Sequence, residues 1–248
     1  MEYLNRAAIE AISCEAFQTR RPYPFVSIQD TLTPEGFARL RETLPEISAF
    51  ERKVGVKRAY GQASHDRAIL HYHAGLDLAA PWREFTAELQ GDFYQSFARR
   101  MLGFGPGVQV IPTMEWYYAW RGCAVSPHCD ARRKRGTHIF YFNTEDDWQE
   151  DWGGYILMLD DEGRFKAHSA PAYDQFKVAA SLVARGNQSL LFQRTEHSWH
   201  AVRPLGCPEG VLRRLFIVTL NLPTFQVWWR RVRGKDADGY RVPKLTAA

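Results

Sequence analysis

Cysteine is scarce in this chain and falls into no pattern. The four cysteines, at positions 14, 123, 129 and 207, form no C-x-x-C pair and no zinc-ribbon spacing. A disulfide framework is thereby excluded, and free thiols in a reducing compartment are expected. Long apolar runs are missing too. No segment offers the ~18 or more apolar residues of a membrane helix, and the opening MEYLNRAAIEAIS lacks the apolar stretch of a signal peptide. A soluble, cytoplasmic protein with no membrane partner is the expectation. There is no internal repeat and no low-complexity linker. Charge of one sign is also in short supply: 32 Lys and Arg against 28 Asp and Glu give a net charge of +4. The excess is concentrated in ARRKRG (131–136) and WWRRVRGKD (228–236). Such patches can meet anions, but this total does not call for nucleic acid.

What the chain has is length and aromatic mass. Its 248 residues suffice for a substantial core, and the 14% aromatic fraction argues for a folded chain. PYPFVSIQD (22–30) reads as a loop followed by a strand. Thr33, Pro34 and Glu35 start a helix with a hydroxyl cap, a proline at the first position and an acid in the first turn. Phe37, Leu40 and Leu44 form its apolar side, and Pro45 ends it. FERKVGVKRAYGQASHDRAI reads as polar loop. Residues 81–103 read as a second helical region, broken near Gly91, with Phe85, Leu89, Phe93 and Phe97 at helical spacing. After Gly107 come short β-branched or aromatic runs, VQVIPTMEWYYAW, THIFYFN, YILMLDD, QSLLFQR and RRLFIVTLNL, separated by turn residues. Helices first and strands afterwards predict an α+β protein, with a β-sandwich or barrel core and the helices packed on one outer face. A single domain over 1–248 is expected, because the helices of 1–105 need the sheet of 106–222 to cover their apolar sides; 223–248 reads as a basic C-terminal tail.

The chemistry is concentrated in SPHCDARRKRGTHIFYFN (126–143). Alternate residues of an extended segment face the same way, so His128 and Asp130 can address one point in space. A third ligand is available in SLLFQRTEHSWHAVRPL, at His200 where a strand re-enters the core, or at His197 three residues earlier. Two imidazoles and a carboxylate on a β-scaffold make the facial triad of non-heme Fe(II) oxygenases. The same residue types can hold zinc. Arg213 and Arg214 open an apolar strand, where an arginine is costly without a partner, and a dicarboxylate cosubstrate would supply one through a bidentate bond.

Together these segments resemble the Fe(II)/2-oxoglutarate-dependent dioxygenases, in particular the prolyl-hydroxylase-like branch. EWYYAWRGCAVSPHCD, HIFYFNTEDDWQEDWGGYILML, SLLFQRTEHSWHAVRPL and a basic residue opening a strand follow in the family's order over roughly 110–222. PYPFVSIQDTLTPEGFARL resembles the opening strand and helix of bacterial members. The resemblance implies a double-stranded β-helix, a jelly-roll relative. It implies Fe(II) on His128, Asp130 and His200, and 2-oxoglutarate with its distal carboxylate on Arg213 or Arg214. Tyr141 would contact that carboxylate, and Tyr118 would line the metal pocket. The insert GCPEGVL lengthens the interval from His200 and leaves the two arginines open, with the first preferred. With O2, such an enzyme hydroxylates an unactivated C–H bond of a small-molecule or peptidyl substrate and releases succinate and CO2.

Plainer readings compete with each assignment. His71 and His73 have ligand spacing but no third ligand nearby, and they fit the substrate side of a pocket better than a second metal. His65 and Asp66 are adjacent and receive no role. Gly153 and Gly154 read as a place where strands approach closely. Trp228 and Trp229 read as packing. Arg132, Arg133, Lys134 and Arg135 are either a solvated turn or a contact for an anionic substrate. Two other classes remain from the residues alone: a cupin-like metalloenzyme without 2-oxoglutarate, and a non-catalytic β-sandwich that binds sugar or peptide through its aromatics.

Overall fold

The N-terminal third folds into short helices because its caps are placed to start them. In the computed structural model, which describes residues 1–183, 186–237 and 239–242, Asn5 caps α1 (Arg6–Glu10) and Ser13 caps α2 (Cys14–Thr19). Neither helix was expected from the sequence. Strand β1 (Phe25–Ile28) follows. The Thr33 hydroxyl then accepts from the Gly36 N–H at the head of α3 (Pro34–Glu42), where a cap and Pro34 were expected. The stretch read as polar loop holds two strands, β2 (Glu51–Lys53) and β3 (Arg67–His71). They pair with each other, and β3 also pairs with β4 (Ile111–Ala119). The second helical region is two helices, α4 (Ala80–Glu88) and α5 (Asp92–Met101), separated at Gly91.

The remaining strands are β5 (Val125–His128), β6 (Lys134–Tyr141), β7 (Ile156–Asp160), β8 (Lys177–Leu182), β9 (Ser189–Gln193), β10 (His200–Val202) and β11 (Arg213–Asn221). They form a seven-stranded sheet in the order β1-β9-β6-β11-β4-β3-β2 and a four-stranded sheet in the order β5-β10-β7-β8. All the pairings of these two sheets are antiparallel. This is the jelly-roll core with helices on one face of the large sheet.

The two faces of the large sheet have different neighbours. Outward, Trp116, Phe140 and Phe216 meet Trp82 and Phe85 of α4, with ring centroids 5.0 to 5.7 Å apart in the Trp82–Trp116, Phe85–Phe140 and Phe85–Phe216 pairs. Inward, Tyr117, Ile139, Tyr141 and Leu215 meet Ile156, Met158 and Val202 of the smaller sheet. Each fully buried aromatic or aliphatic side chain contributes about 1.5–3 kcal/mol through burial, so both layers are needed to hold β4, β6 and β11 in place. The cavity described below opens on the inward side.

After β11 the chain forms α6 (Phe225–Val232), capped by Thr224. Only Val227 of this helix is buried, while Trp228 and Trp229 are 54% and 42% exposed. The packing role read for these two residues therefore does not hold. Their rings lie against Phe225 and each other, on the surface. Of the basic C-terminal tail, residues 238 and 243–248 lie outside the described residues. Among the described residues no helix is long and apolar enough to cross a membrane.

Candidate active site

Two neighbouring strands of the smaller sheet carry the histidines. β5 ends at His128 and β10 begins at His200, and antiparallel pairing sets these residues opposite each other. Asp130 lies just past the end of β5. One ligand-type atom from each of His128, Asp130 and His200 falls within 4.8 Å of the others, and all three residues are buried. His197, three residues from His200, is elsewhere: its half-exposed side chain pairs with Asp161 at 2.9 Å.

Hydrogen bonds fix how the three side chains can act. His128 Nδ1 lies 3.0 Å from the Ser126 carbonyl and His200 Nδ1 lies 3.0 Å from the Ser198 carbonyl. A carbonyl can only accept, so each Nδ1 carries the proton and each Nε2 keeps its lone pair. Burial lowers the pKa of both imidazoles, which keeps them neutral. Burial pushes the Asp130 carboxyl the other way, but Lys134 at 3.2 Å and the Thr137 hydroxyl donating at 2.7 Å outweigh it. They hold the carboxyl well below the usual carboxylate range. The donor set is therefore two neutral imidazoles and one carboxylate, the protonation states a divalent metal requires.

His128, Asp130 and His200 line one cavity of about 310 Å³ together with Tyr117, Thr219 and Arg213. Arg213 is 3% exposed, and its Nε and one Nη have no hydrogen-bond partner among the described residues. Burial lowers its pKa, although an arginine remains charged in a protein. Its guanidinium carbon sits 5.9 Å from the centre of the Tyr141 ring, and the Tyr141 hydroxyl is also buried and unpartnered. Gly154, at φ +84°, gives the guanidinium its room: a Cβ there would lie 3.0 Å from Arg213 Nε. The close approach read for the Gly-Gly pair is thus an approach to this arginine. A buried cation with unused donors is unfavourable unless an anion joins it. The site accordingly fits a small carboxylate placed between the metal-ligand cluster and Arg213.

Arg214 faces the other way. It pairs with Asp147 at 2.8 Å on the helix side of the sheet. Tyr118, aligned with it across β4 and β11, does the same. Its hydroxyl donates to the Pro45 carbonyl at 3.0 Å and its ring stacks on Phe50. Tyr118 does not line the metal-ligand pocket, contrary to the expectation. Strand alternation turns Tyr117 into the cavity and Tyr118 out of it.

The basic loop divides. Arg133 and Lys134 line the cavity, whereas Arg132 pairs with Glu196 at 3.5 Å on the surface and Arg135 is exposed. His71 and His73 join no metal-ligand cluster among the described residues; His71 contacts Glu115 and Tyr240, both of which line the cavity. His65, given no role from sequence, is buried beside the site. Its Nε2 is 2.9 Å from the Ser126 hydroxyl and its ring meets that of His128 at 4.7 Å. Burial, followed by the charges of Arg58 and Arg67, pushes its pKa down to about 3. Arg58 and Arg67 line the same cavity and were also missed. Strand alternation sets Tyr117 and Tyr118 on opposite faces without saying which one meets the cavity, and the positions of His65, Arg58 and Arg67 depend on how a long segment folds back and left no local signal.

Comparison with known proteins gives the geometry its chemistry. Residues 115–221 match the sequence model of the 2OG-Fe(II) oxygenase superfamily. No curated protein matches the chain. Among solved structures, a Pseudomonas putida prolyl-4-hydroxylase is similar with a TM-score of 0.60 and 14% identity, over 88% of this chain and 99% of that one. The non-heme α-ketoglutarate-dependent carbocyclase SnoK of nogalamycin biosynthesis is similar with a TM-score of 0.58 and 12% identity, over 95% of each chain. The epimerase SnoN of the same biosynthesis gives 0.58 and 14%, over 98% of this chain and 93% of that one. At these identities the structures share a fold with this chain. The cupin-like reading without 2-oxoglutarate and the non-catalytic sandwich both give way to the family match. Over residues 115–221 the chain matches the 2OG-Fe(II) oxygenase superfamily, and the His128–Asp130–His200 cluster inside that stretch fits a dioxygenase that uses Fe(II), 2-oxoglutarate and O2.

Proposed function

We propose that His128, Asp130 and His200 hold the Fe(II), that Arg213 binds the distal carboxylate of 2-oxoglutarate, and that the reaction is hydroxylation of a substrate C–H bond. The observation that carries this reading is Arg213: a buried guanidinium with unused donors, opening on the same cavity as the three ligand-type side chains. The bound metal and cosubstrate supply the oxidising chemistry, in which 2-oxoglutarate is decarboxylated to succinate and CO2. The chain's own residues bind and orient. His128 and His200 present Nε2 because their Nδ1 protons are committed to backbone carbonyls. Thr137 and Lys134 keep Asp130 ionised and fix its direction. The Tyr141 hydroxyl is free to donate to the carboxylate on Arg213. Ile139, Leu215 and Phe192 line the same cavity and keep water from it.

Asp130 fills the carboxylate position, which favours hydroxylation over halogenation, because a halide would need that ligand position. The substrate is a small molecule or a peptidyl group. The helices of residues 1–105 cover the outer face of the sheet whose inner face bears the cavity, which supports reading the chain as one domain. Four free thiols suit a reducing, cytoplasmic setting. The test is a substrate panel scored for succinate and for product mass. Hydroxylation gives one succinate per product heavier by one oxygen atom; a chlorinated product in chloride buffer, or product without succinate, contradicts the reading.

A further inference from the structure

Two arginines, Arg58 and Arg67, line the cavity without an ion-pair partner among the described residues. Among the described residues Arg58 has a single hydrogen bond, from its Nε to Gln62 Oε1 at 3.4 Å. Arg67 donates to the His65 carbonyl at 2.7 Å and lies 5.7 Å from the centre of the Tyr117 ring. Neither has a carboxylate within ion-pair distance among the described residues, and both line the cavity that holds the His128–Asp130–His200 cluster. The cavity's two carboxylates are engaged: Asp130 with Lys134 and Thr137, and Glu115 with His71 at 3.2 Å. Burial, followed by the charge of Arg67, disfavours the charge of Arg58. Two half-buried like charges facing one space are unfavourable in the free protein. An anion between them removes the repulsion and accepts from both guanidinium groups.

Their place relative to the reaction centre is defined by His65. Its carbonyl receives the Arg67 hydrogen bond, and its ring meets His128 at 4.7 Å. The arginine pair is therefore about one residue away from the ligand cluster, and Arg213, which belongs to the cosubstrate in the reading above, lines the same cavity. The cavity of about 310 Å³ is small once 2-oxoglutarate is counted. It continues into a second hollow of about 330 Å³ that shares Arg58, Cys129, Ala131 and Arg133 and is walled by Tyr60 stacked on His168 at 4.8 Å.

We propose that Arg58 and Arg67 form the substrate-anion site of this enzyme, and that its substrate is a small molecule bearing a carboxylate or phosphate group which they hold while the C–H to be oxidised points to the His128–Asp130–His200 cluster. The proposal rests on the assignment of that cluster and of Arg213 to iron and cosubstrate. It does not depend on the surface charges Arg132 and Arg135, and it replaces the basic loop as the main source of anion recognition.

The test uses calorimetry under nitrogen on the full chain loaded with Fe(II) and saturating 2-oxoglutarate. The probes are phenylacetate, phenyl phosphate, inorganic phosphate and the neutral phenylacetamide, with an acidic octapeptide as the macromolecular arm. Iron content and 2-oxoglutarate affinity are measured first in every variant, so that failure of the iron and cosubstrate assignment is seen separately. The expected result is that at least one small anion binds about tenfold or more tightly than the amide, the loss of about one charge-assisted hydrogen bond. Arg58→Gln and Arg67→Gln each remove that preference with iron content and 2-oxoglutarate affinity unchanged. The stronger of phenylacetate and phenyl phosphate tells carboxylate from phosphate. The proposal is overturned if no small anion is preferred over the amide, if the preference survives both substitutions, or if the peptide alone binds in an arginine-dependent way.

Discussion

Arg213 and Arg214 are neighbours in sequence and lie on opposite faces of the same sheet. Arg214 looks toward the helices, where Asp147 meets it at 2.8 Å and water reaches part of it. Arg213 looks toward the smaller sheet, where it is buried with donors unused. The same contrast holds at three further positions. On the helix side, Tyr118 bonds to Pro45, and His138 is held between the Tyr94 and Ser189 hydroxyls at 2.9 and 2.8 Å. On the inner side, the Tyr141 hydroxyl has no partner among the described residues. Arg214, Tyr118 and His138 of the outer face are satisfied by the protein, while Arg213 and Tyr141 of the inner face are arranged for something that is not protein. A buried polar group left unpaired costs about 1–3 kcal/mol, so the inner face holds stability in reserve for its ligand.

The largest way to break this comparison is to exchange the arginines' fates. Arg213→Gln is expected to weaken 2-oxoglutarate binding by about 3–5 kcal/mol, a hundredfold or more, while Arg214→Gln changes it little. Calorimetry on the iron-loaded protein reads both, and equal effects would erase the distinction between the faces. Next in size is the acid limb of stability. Burial pushes the His138 pKa down to about 3 from an ordinary value of 6.5. Below about 6.5 the unfolded chain takes up this proton and the folded chain does not, so the native state loses stability as pH falls, by up to about 1.4 kcal/mol per unit until about 3. Denaturant titrations between pH 7 and 4 should show a shallower decline in His138→Gln than in the wild type; parallel declines would remove His138 from the account.

Gly154→Ala places a Cβ 3.0 Å from Arg213 Nε at a positive φ. It is expected to cost about 1–3 kcal/mol of stability and to raise the 2-oxoglutarate requirement, both measurable on one preparation. Normal 2-oxoglutarate affinity in that variant would mean the guanidinium does not need this cradle. The smallest effects are expected at the tyrosines, and they should be opposite in kind. Tyr118→Phe loses its bond to Pro45, about 1 kcal/mol of stability, and leaves cosubstrate affinity alone. Tyr141→Phe leaves stability nearly unchanged and weakens 2-oxoglutarate binding severalfold, because its hydroxyl has only the ligand to serve.

What could be read from the sequence followed what is local. His128 and Asp130 are two residues apart on an extended segment, so their common direction is set by the backbone alone. His200 could be named beside its competitor His197, but only the fold sets it opposite His128. The arginines could not be separated, and Tyr118 was turned the wrong way, for one reason. β4 and β11 are buried on both faces, so EWYYA and RRLFIV show no polar–apolar alternation from which a face could be read. β2 and β3 were taken for loop because Glu51, Arg52 and Lys53 lie on the edge of the sheet, where exposed charge is normal. Arg58, His65 and Arg67 reach the cavity only because that segment folds back over it. Trp228 and Trp229 were read as packing because tryptophan is usually buried, yet α6 buries little beyond Val227.

The account stands on the claim that His128, Asp130 and His200, and not His197, hold the iron, and anaerobic Fe(II) titration followed by metal analysis tests it most directly. One Fe(II) per chain is predicted for the wild type and for His197→Ala, with binding lost in His128→Ala, Asp130→Ala and His200→Ala and each variant's fold checked by circular dichroism. Retention of iron by a folded His200→Ala variant, with loss from His197→Ala, would contradict it.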